Sequence, residues 1–561
     1  MPGSEIAPTG ARESRRKRLA CALGLFALLV GVYLANAYTA GNNDATGNVR
    51  LPLQVLEHGR LTFTPEDSPF MFTWRLRLPD REAAVRFRNW NDSTGGETPR
   101  SYQQRGALDA PHPKYYLIET REPDVYANTF GLGAGLVALP VLAVVKPFAS
   151  SLDKDATVLW QVGKLVAAAA VAGSAVFLFL AALSQLSLFT SLTLALLYGL
   201  CTCAWSVSSQ ILVQHGPAEL FLAMGTYFLL KKTSASTVLA GLAYSGAVAC
   251  RPTCLLVIAV VAVWLAARDH VGRLLTWLAA KYRGRRAESP PGAHHDRRAL
   301  LRFCLGALPV GLLLVLYGWH TFADPLAAGQ LLVGSRVAIT KTGTPDLWQT
   351  PFYVGAAGLL LSPARGLLVY SPVVAVALWG MGRVWRDPKW MDLRPVSLAA
   401  LALFLPAAKR FDWWGGWSYG YRPIMETVTL AAFLGIPMVS WVRARRWRMA
   451  AVGVLAVWSI GIQALGAFAY DVSGWNGRVV YDVVDEAQDR RATYDDRPSA
   501  EEHARAQGGR VQARALNVDK PEYRYRLWSM SDNPISYYLQ NWSRVRVQRQ
   551  KDVVRFMRDD G

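Results

Sequence analysis

The chain has 561 residues, 52% of them hydrophobic and only 18% charged, whereas soluble domains carry about a quarter charged residues. That balance excludes an ordinary soluble multidomain protein. The formal charge of +20 sits in clusters beside apolar runs, as the positive-inside rule expects of cytoplasmic links, so it gives no ground for a nucleic-acid partner.

Residues 1–18 form a basic N-terminus, and residues 19–38 are the first apolar run. No convincing small-residue cleavage site follows, so this run is read as a retained helix and not a signal peptide. With the basic start inside, residues 39–156 become a large first exterior loop, and the basic link at 268–300 must return to the inside. Seven apolar segments lie between these markers: 19–38, 131–149, 157–183, 186–204, 217–230, 235–250 and 252–267. Parity allows only six to cross. Segment 131–149, interrupted by Gly131, Gly133, Gly135, Pro140 and Pro147, is expected to lie in the outer interface. The alternative is a single crossing by 235–267, broken at Arg251-Pro252.

Five more spans follow, at 301–322, 367–381, 396–408, 423–442 and 452–470, with an exterior loop at 323–366 and an exterior tail or small domain at 471–561. Within that tail, the charged stretch 485–509 has the composition of a mobile segment. The expected fold is an all-α polytopic membrane protein: a bundle of roughly 11 transmembrane helices occupying residues 19–470, without internal repeats. The six cysteines fall in or beside apolar runs, with no disulfide framework or zinc spacing.

The candidate chemistry gathers on the exterior side. Asp44, among glycines and asparagines just past the first helix, is placed to act as a base or to cap the helix that follows. His215 and Glu219 stand at the mouth of a helix opened by Pro217 and are either catalytic or polar anchors. Arg251 and Lys164 interrupt apolar stretches, where a charge needs a partner, a polar cavity or room to snorkel. Arg336, Lys341 and Arg365 are isolated cations in a Gly- and Pro-rich segment, and a guanidinium grips phosphate through two hydrogen bonds. Residues 409–423, KRFDWWGGWSYGYRP, set Trp413, Trp414, Trp417 and Tyr419 around paired glycines and end at Arg422. Aromatic faces, close backbone and a terminal guanidinium suit a carbohydrate or prenyl-phosphate groove.

Taken together, Asp44 followed by LPLQVLEHGRLTF, the stretch from Tyr126 to Pro140, SSQILVQHGPAEL, ACRPT, GLLLSPARGLLVYSP and WWGGWSYGYRP resemble the bacterial GT-C glycosyltransferases that use polyprenyl-phosphate sugars. That family is related to protein mannosyltransferases and aminoarabinose transferases. The resemblance runs through most of residues 19–440. It implies a bundle whose first exterior loop carries membrane-parallel helices, with Asp44 as general base, His215 and Glu219 beside it, and Arg251, Arg336, Arg365 and Arg422 as lipid-phosphate ligands. It further implies a polyprenyl-phosphate sugar donor, a glycan, lipid or protein acceptor, and a bacterial cytoplasmic membrane with the site on its exterior face. No metal or other cofactor is expected beyond a loosely held divalent cation at Asp44. His215 stands where many relatives have an acidic residue. A lipid-linked glycan ligase or polymerase, or a lipid or solute transporter, would share many of these features.

Overall fold

The computed structural model describes residues 9–36, 43–77, 82–86, 117–148, 156–267, 297–472, 474–485, 490–494, 497–507 and 509–543. The basic link at 268–296 lies outside the described residues. Helix α1, Thr9–Leu34, lays Leu25, Leu29 and Tyr33 against the bundle and leaves Leu19, Leu23 and Leu28 exposed. Apolar residues thus cover both its faces, as a lipid-bathed helix requires.

The first exterior loop opens with α2, Asn43–His58, and continues through short strands. β1 (Thr62–Phe63), β4 (Leu117–Glu119) and β5 (Tyr126–Asn128) form an antiparallel sheet in the order β1-β5-β4, and β2 (Thr73–Arg77) pairs with β3 (Glu82–Arg86). The buried Asn128 amide donates to Asn48 Oδ1 at 2.8 Å, fastening α2 to this sheet. Segment 131–149 is a broken helix, α3 (Leu132–Leu136) and α4 (Leu139–Val145). Gly131 and Gly133 lie so close to the backbone of Ala249 and Cys250 that any side chain there would collide with it.

The bundle then runs through α5 (Ala156–Ala182), α6 (Leu188–Cys201), α7 (His215–Lys231), α8 (Ser234–Cys250) and α9 (Pro252–Ala267). After the basic link come α10 (Arg297–Phe322), α11 (Gly329–Thr342), α12 (Phe352–Leu361), α13 (Val374–Arg386), α14 (Arg394–Lys409), α15 (Met425–Phe433) and α16 (Arg446–Ala469). Among the described residues five helices are long and apolar enough to cross a membrane, and a bent pair, Arg422–Phe433 with Ile436–Arg443 at 47°, makes a sixth. The expectation of roughly eleven spans is therefore not matched by eleven long helices. Several are 14–17 residues, or about 21–26 Å, against a hydrocarbon core of about 30 Å. A proline cuts one of them short. Pro252 holds Arg251 in an extended conformation (φ −145°, ψ 112°) and ends α8 there.

Lys232 meets Asp392 at 2.6 Å and Arg443 reaches Thr190 at 3.4 Å. At the other end, Asp44 meets Arg422 and the Arg121 amide donates to Thr321. Each contact joins two links on the same side of the charge-based layout. The all-α expectation fails in the first exterior loop and again in the tail. There β6 (Gly477–Asp485), β7 (Arg490–Tyr494) and β8 (Arg510–Asn517) form a sheet in the order β7-β6-β8, with α17 (Arg497–Gln507) beside it and α18 (Pro534–Gln540) beyond. Stretch 485–509, expected to be mobile, contributes β7 and α17. Buried Asp482 explains the order: it takes both Nε (2.7 Å) and Nη2 (3.2 Å) of Arg514 on β8 and the Thr493 hydroxyl (2.6 Å) on β7.

Helix α10 is held to α8 by two glycines. A Cβ at Gly241 would overlap the Phe303 carbonyl, and one at Gly306 the Val238 carbonyl, the close approach that small residues permit between membrane helices. Gly306→Leu should cost about 1–3 kcal/mol through overpacking and lower the midpoint of thermal unfolding in detergent. Gly311→Leu, on the same helix but facing open space, should leave it unchanged; equal losses would remove the glycine contact as the cause.

Candidate functional site: a charge-paired cleft at one end of the bundle

The aromatic turn before α15 is shaped by Gly415, Gly416 and Gly420, all left-handed (φ +74°, +63° and +56°), a region that glycine enters without steric cost. Its side chains form a socket more than an open groove. Trp413 is buried against Gly358 and the Trp528 ring, while Trp414 is buried and donates to Asp519 at 3.0 Å. Tyr419 is buried and donates to the Ile462 carbonyl at 2.8 Å. Trp417 donates to Asn517 at 3.1 Å and remains partly exposed.

Arg365 belongs to the same socket and is fully buried. Its Nε donates to Trp414 O (3.1 Å), Nη1 to Ala364 O (2.9 Å), and Nη2 to Gly416 O (3.3 Å) and Asn476 Oδ1 (2.6 Å). The guanidinium also lies 5.3 Å from the Trp475 ring, whose distance to Arg526 is 4.4 Å. This arginine is spent on joining the bundle to the C-terminal unit, and that geometry gives it no free fork for a phosphate.

Two charge clusters share one helix start. Arg422 lies in the 3₁₀ turn leading into α15 and Glu426 in the helix's first turn. Arg422 Nη2 meets Asp44 Oδ2 at 2.6 Å, the two side chains 20% and 12% exposed. Asp44 is in the first turn of α2, where a carboxylate also favours the helix dipole. One turn on, Glu426 is buried between Arg251 and His215. His215 Nδ1 lies 2.9 Å from Glu426 and 2.9 Å from Arg251 Nη1, and Arg251 pairs with the other Glu426 oxygen. A further Arg251 N–H reaches the Pro423 carbonyl at 3.4 Å. The cluster therefore ties together the start of α7, the end of α8 and the start of α15.

Glu219 is deeper still. It accepts from Ser208 at 2.5 Å and Tyr198 at 3.1 Å, and Tyr198 in turn meets Thr429 and Ser174. Lys164, also buried, donates to the Asn36 carbonyl at 2.8 Å and to the Asn36 side chain, whose amide reaches Gln210 at 2.8 Å.

A cleft opens beside these groups, walled by Arg422, Trp417, Tyr419 and Tyr470 on one side and Ser206, Gln210 and Ile211 on the other. Asp44 meets it through Arg422. The structure thus brings Asp44, Arg422, Trp417 and Tyr419 to one place. It buries His215 and Glu219, leaves Arg251 partly exposed, and turns Arg365, Trp413 and Trp414 toward the C-terminal unit. Arg336 sits on α11, and both its side chain and that of Lys341 lie outside the described residues. Glu426 is the important residue not singled out from sequence. The rule that marks Arg251, that a charge in an apolar stretch needs a partner, marks Glu426 in METVTLAAF equally well.

Among the described residues no group of three or more His, Cys, Asp or Glu side chains could hold a metal ion.

No family model matches the sequence, and no curated protein matches it. Two solved structures show a distant likeness. One is the apo oligosaccharyltransferase of Archaeoglobus fulgidus, with TM-score 0.41 and 10% identity, covering 80% of this chain and 55% of that one. The other is the oligosaccharyltransferase AglB of the same organism, in complex with an inhibitory peptide and a dolichol-phosphate, with TM-score 0.40 and 11% identity, covering 81% and 56%. The chain spans about half the length of these proteins. Fold and site together define a mostly helical protein with several membrane-length apolar helices and a charge-paired cleft at one end of its bundle.

Two expectations follow from the charges. Glu426→Gln leaves Arg251 without its buried counter-charge and His215 without a carboxylate partner, and should cost about 3–5 kcal/mol. Glu426→Gln with Arg251→Gln should recover part of that loss; strictly additive losses in thermal unfolding would refute the coupling. The second concerns Asp532 in the C-terminal unit. Burial alone would raise its carboxyl, but hydrogen bonds and charge from Arg526, with the Trp475 N–H and Arg478, outweigh it and hold the group below the usual carboxylate range. Its contribution is therefore complete above the ordinary Asp value of about 3.9 and lost as pH falls through the lowered folded value. The stability difference between wild type and Asp532→Asn should shrink on acidification below that point, measured by proteolytic release of the C-terminal unit; a constant gap would contradict the linkage.

Proposed function

We propose that this chain is a GT-C-type membrane glycosyltransferase that moves a sugar from a polyprenyl-phosphate donor to an acceptor hydroxyl or amine at the exterior face of a bacterial cytoplasmic membrane. The reading is carried by Arg422. It is a guanidinium on the wall of a cleft with aromatic neighbours, and it pairs with the Asp44 carboxylate.

In this reading the donor phosphate approaches Arg422 and the sugar lies along Trp417 and Tyr470. Asp44 accepts the acceptor's proton as the acceptor oxygen or nitrogen bonds to the anomeric carbon. The bond from that carbon to the phosphate oxygen breaks, and the lipid phosphate leaves with the electron pair. Arg422 neutralises the charge that develops on the leaving group. Glu426, Arg251 and His215 act as positioning residues that fix the turn carrying Arg422, and Arg365 fixes the aromatic socket. Acceptor class stays open between glycan, lipid and protein.

The same ion pair couples donor to base. A phosphate at Arg422 competes with Asp44 for the same guanidinium, so donor binding weakens the Asp44–Arg422 pair. Asp44→Asn should therefore lose sugar transfer by about 10²-fold or more while binding a soluble prenyl monophosphate several-fold tighter, because an anionic competitor is gone. Arg422→Ala should weaken the same binding by about tenfold or more. Transfer is followed from a labelled polyprenyl-phosphate sugar, and binding by titration with farnesyl phosphate. Full turnover in Asp44→Asn would remove the base, and weaker binding in that variant would remove the competition.

A further inference from the structure

At the opposite end of the bundle, arginines and tryptophans meet without a role in the cleft. Trp379 on α13 and Trp441 after α15 stack face to face, centroids 6.5 Å apart and planes at 19°. The Arg448 guanidinium lies 4.1 Å over the Trp441 ring and 5.3 Å from Trp447, and donates to the Trp441 carbonyl at 3.0 Å. Arg383 follows Trp379 by one helical turn on α13, and Arg386 ends that helix. Arg443, Arg445 and Arg446 complete the patch, all exposed.

Two observations separate this patch from a merely basic loop. Among the described residues none of these six arginines makes an ion pair. The acidic groups nearby are engaged elsewhere: Asp387 caps its own turn by accepting from the Lys389 amide at 3.0 Å, and Asp392 pairs with Lys232. In addition, among the described residues the Nε atoms of Arg383 and Arg448 are buried without a hydrogen-bond partner, a costly state for a charged donor. Trp379 and Trp447 are 69% and 64% exposed, beside the apolar outer surface of the helices, where indoles settle at the level of lipid headgroups.

We propose that this end of the bundle, assigned to the cytoplasm by its charge, carries a binding site for the phosphate of an anionic phospholipid, gripped by Arg383 and Arg448 and flanked by Trp379, Trp441 and Trp447. A free phosphate ion would make no use of exposed indoles, whereas a lipid brings phosphate and acyl chains together to the level at which arginines and tryptophans meet. The cytoplasmic leaflet is the one that supplies anionic lipid. This site is independent of the glycosyl-transfer reading and 
would exist in a transporter as well.

The test uses the full chain reconstituted in nanodiscs of phosphatidylcholine containing a minority of phosphatidylglycerol, released into detergent and weighed intact by native mass spectrometry. Wild type should retain phosphatidylglycerol in preference to phosphatidylcholine. Arg383→Gln with Arg448→Gln should reduce that retention by about fivefold per arginine neutralised. Arg445→Gln with Arg446→Gln alters only exposed side chains, and should reduce retention too while leaving thermal unfolding unchanged. Equal retention of the two lipids, or unchanged retention in both double variants, would overturn the site. Displacement of bound phosphatidylglycerol by millimolar inorganic phosphate would overturn the lipid in favour of a free ion.

Discussion

One carboxylate, Glu426, joins three helix ends beside the cleft. It is buried between Arg251 and His215, so it joins the start of one helix, the end of a second and the start of a third. A buried charge is tolerable only with a partner, and here each partner is mounted on a different element. Satisfying the charge therefore specifies how three helix ends meet. One turn earlier the same helix start presents Arg422 to Asp44, which brings in the first exterior loop. The cleft exists because these contacts are made by neighbouring residues of one short turn.

The C-terminal unit is bound to that turn from the other side. Arg365 donates to Trp414, Gly416 and Asn476, and its charge lies on Trp475, which Arg526 faces in turn. Trp417 bridges the two regions, hydrogen-bonded to Asn517 and walling the cleft. A unit outside the apolar bundle thereby shapes the aromatic wall of the candidate site. Polar contacts at both ends of the bundle share a logic: Asp44 pairs with Arg422 at one end, whereas among the described residues the arginines around Trp379 and Trp441 make no ion pair. The first arrangement suits a site that must exchange one anion for another, and the second suits a surface that meets an anionic leaflet.

Much of this was legible in the chain itself. Apolar runs and basic links gave the two-sided layout, because the membrane imposes length and the charge rule imposes side. Asp44, Arg422 and the aromatic turn stood out because charges, glycines and indoles are unusual at the ends of apolar helices. Two things were misjudged for physical reasons. The tail folds because Asp482 finds Arg514 and Thr493 across strands, a compensation invisible to composition. Arg365 looked like a free cation because its acceptors are backbone carbonyls, and every sequence contains those.

The sequence by itself determined that this is a polytopic helical protein with its distinctive chemistry on one side, since bilayer thickness and charge asymmetry act on local composition. Only the tertiary structure decided which charges are partners. Asp44 and Arg422 are separated by 378 positions, and Arg251 and Glu426 by 175. Pairing over such distances depends on helix crossings fixed by glycine contacts such as Gly241 with Phe303 and Gly306 with Val238. Those crossings arise from shape, which no run of residues carries alone.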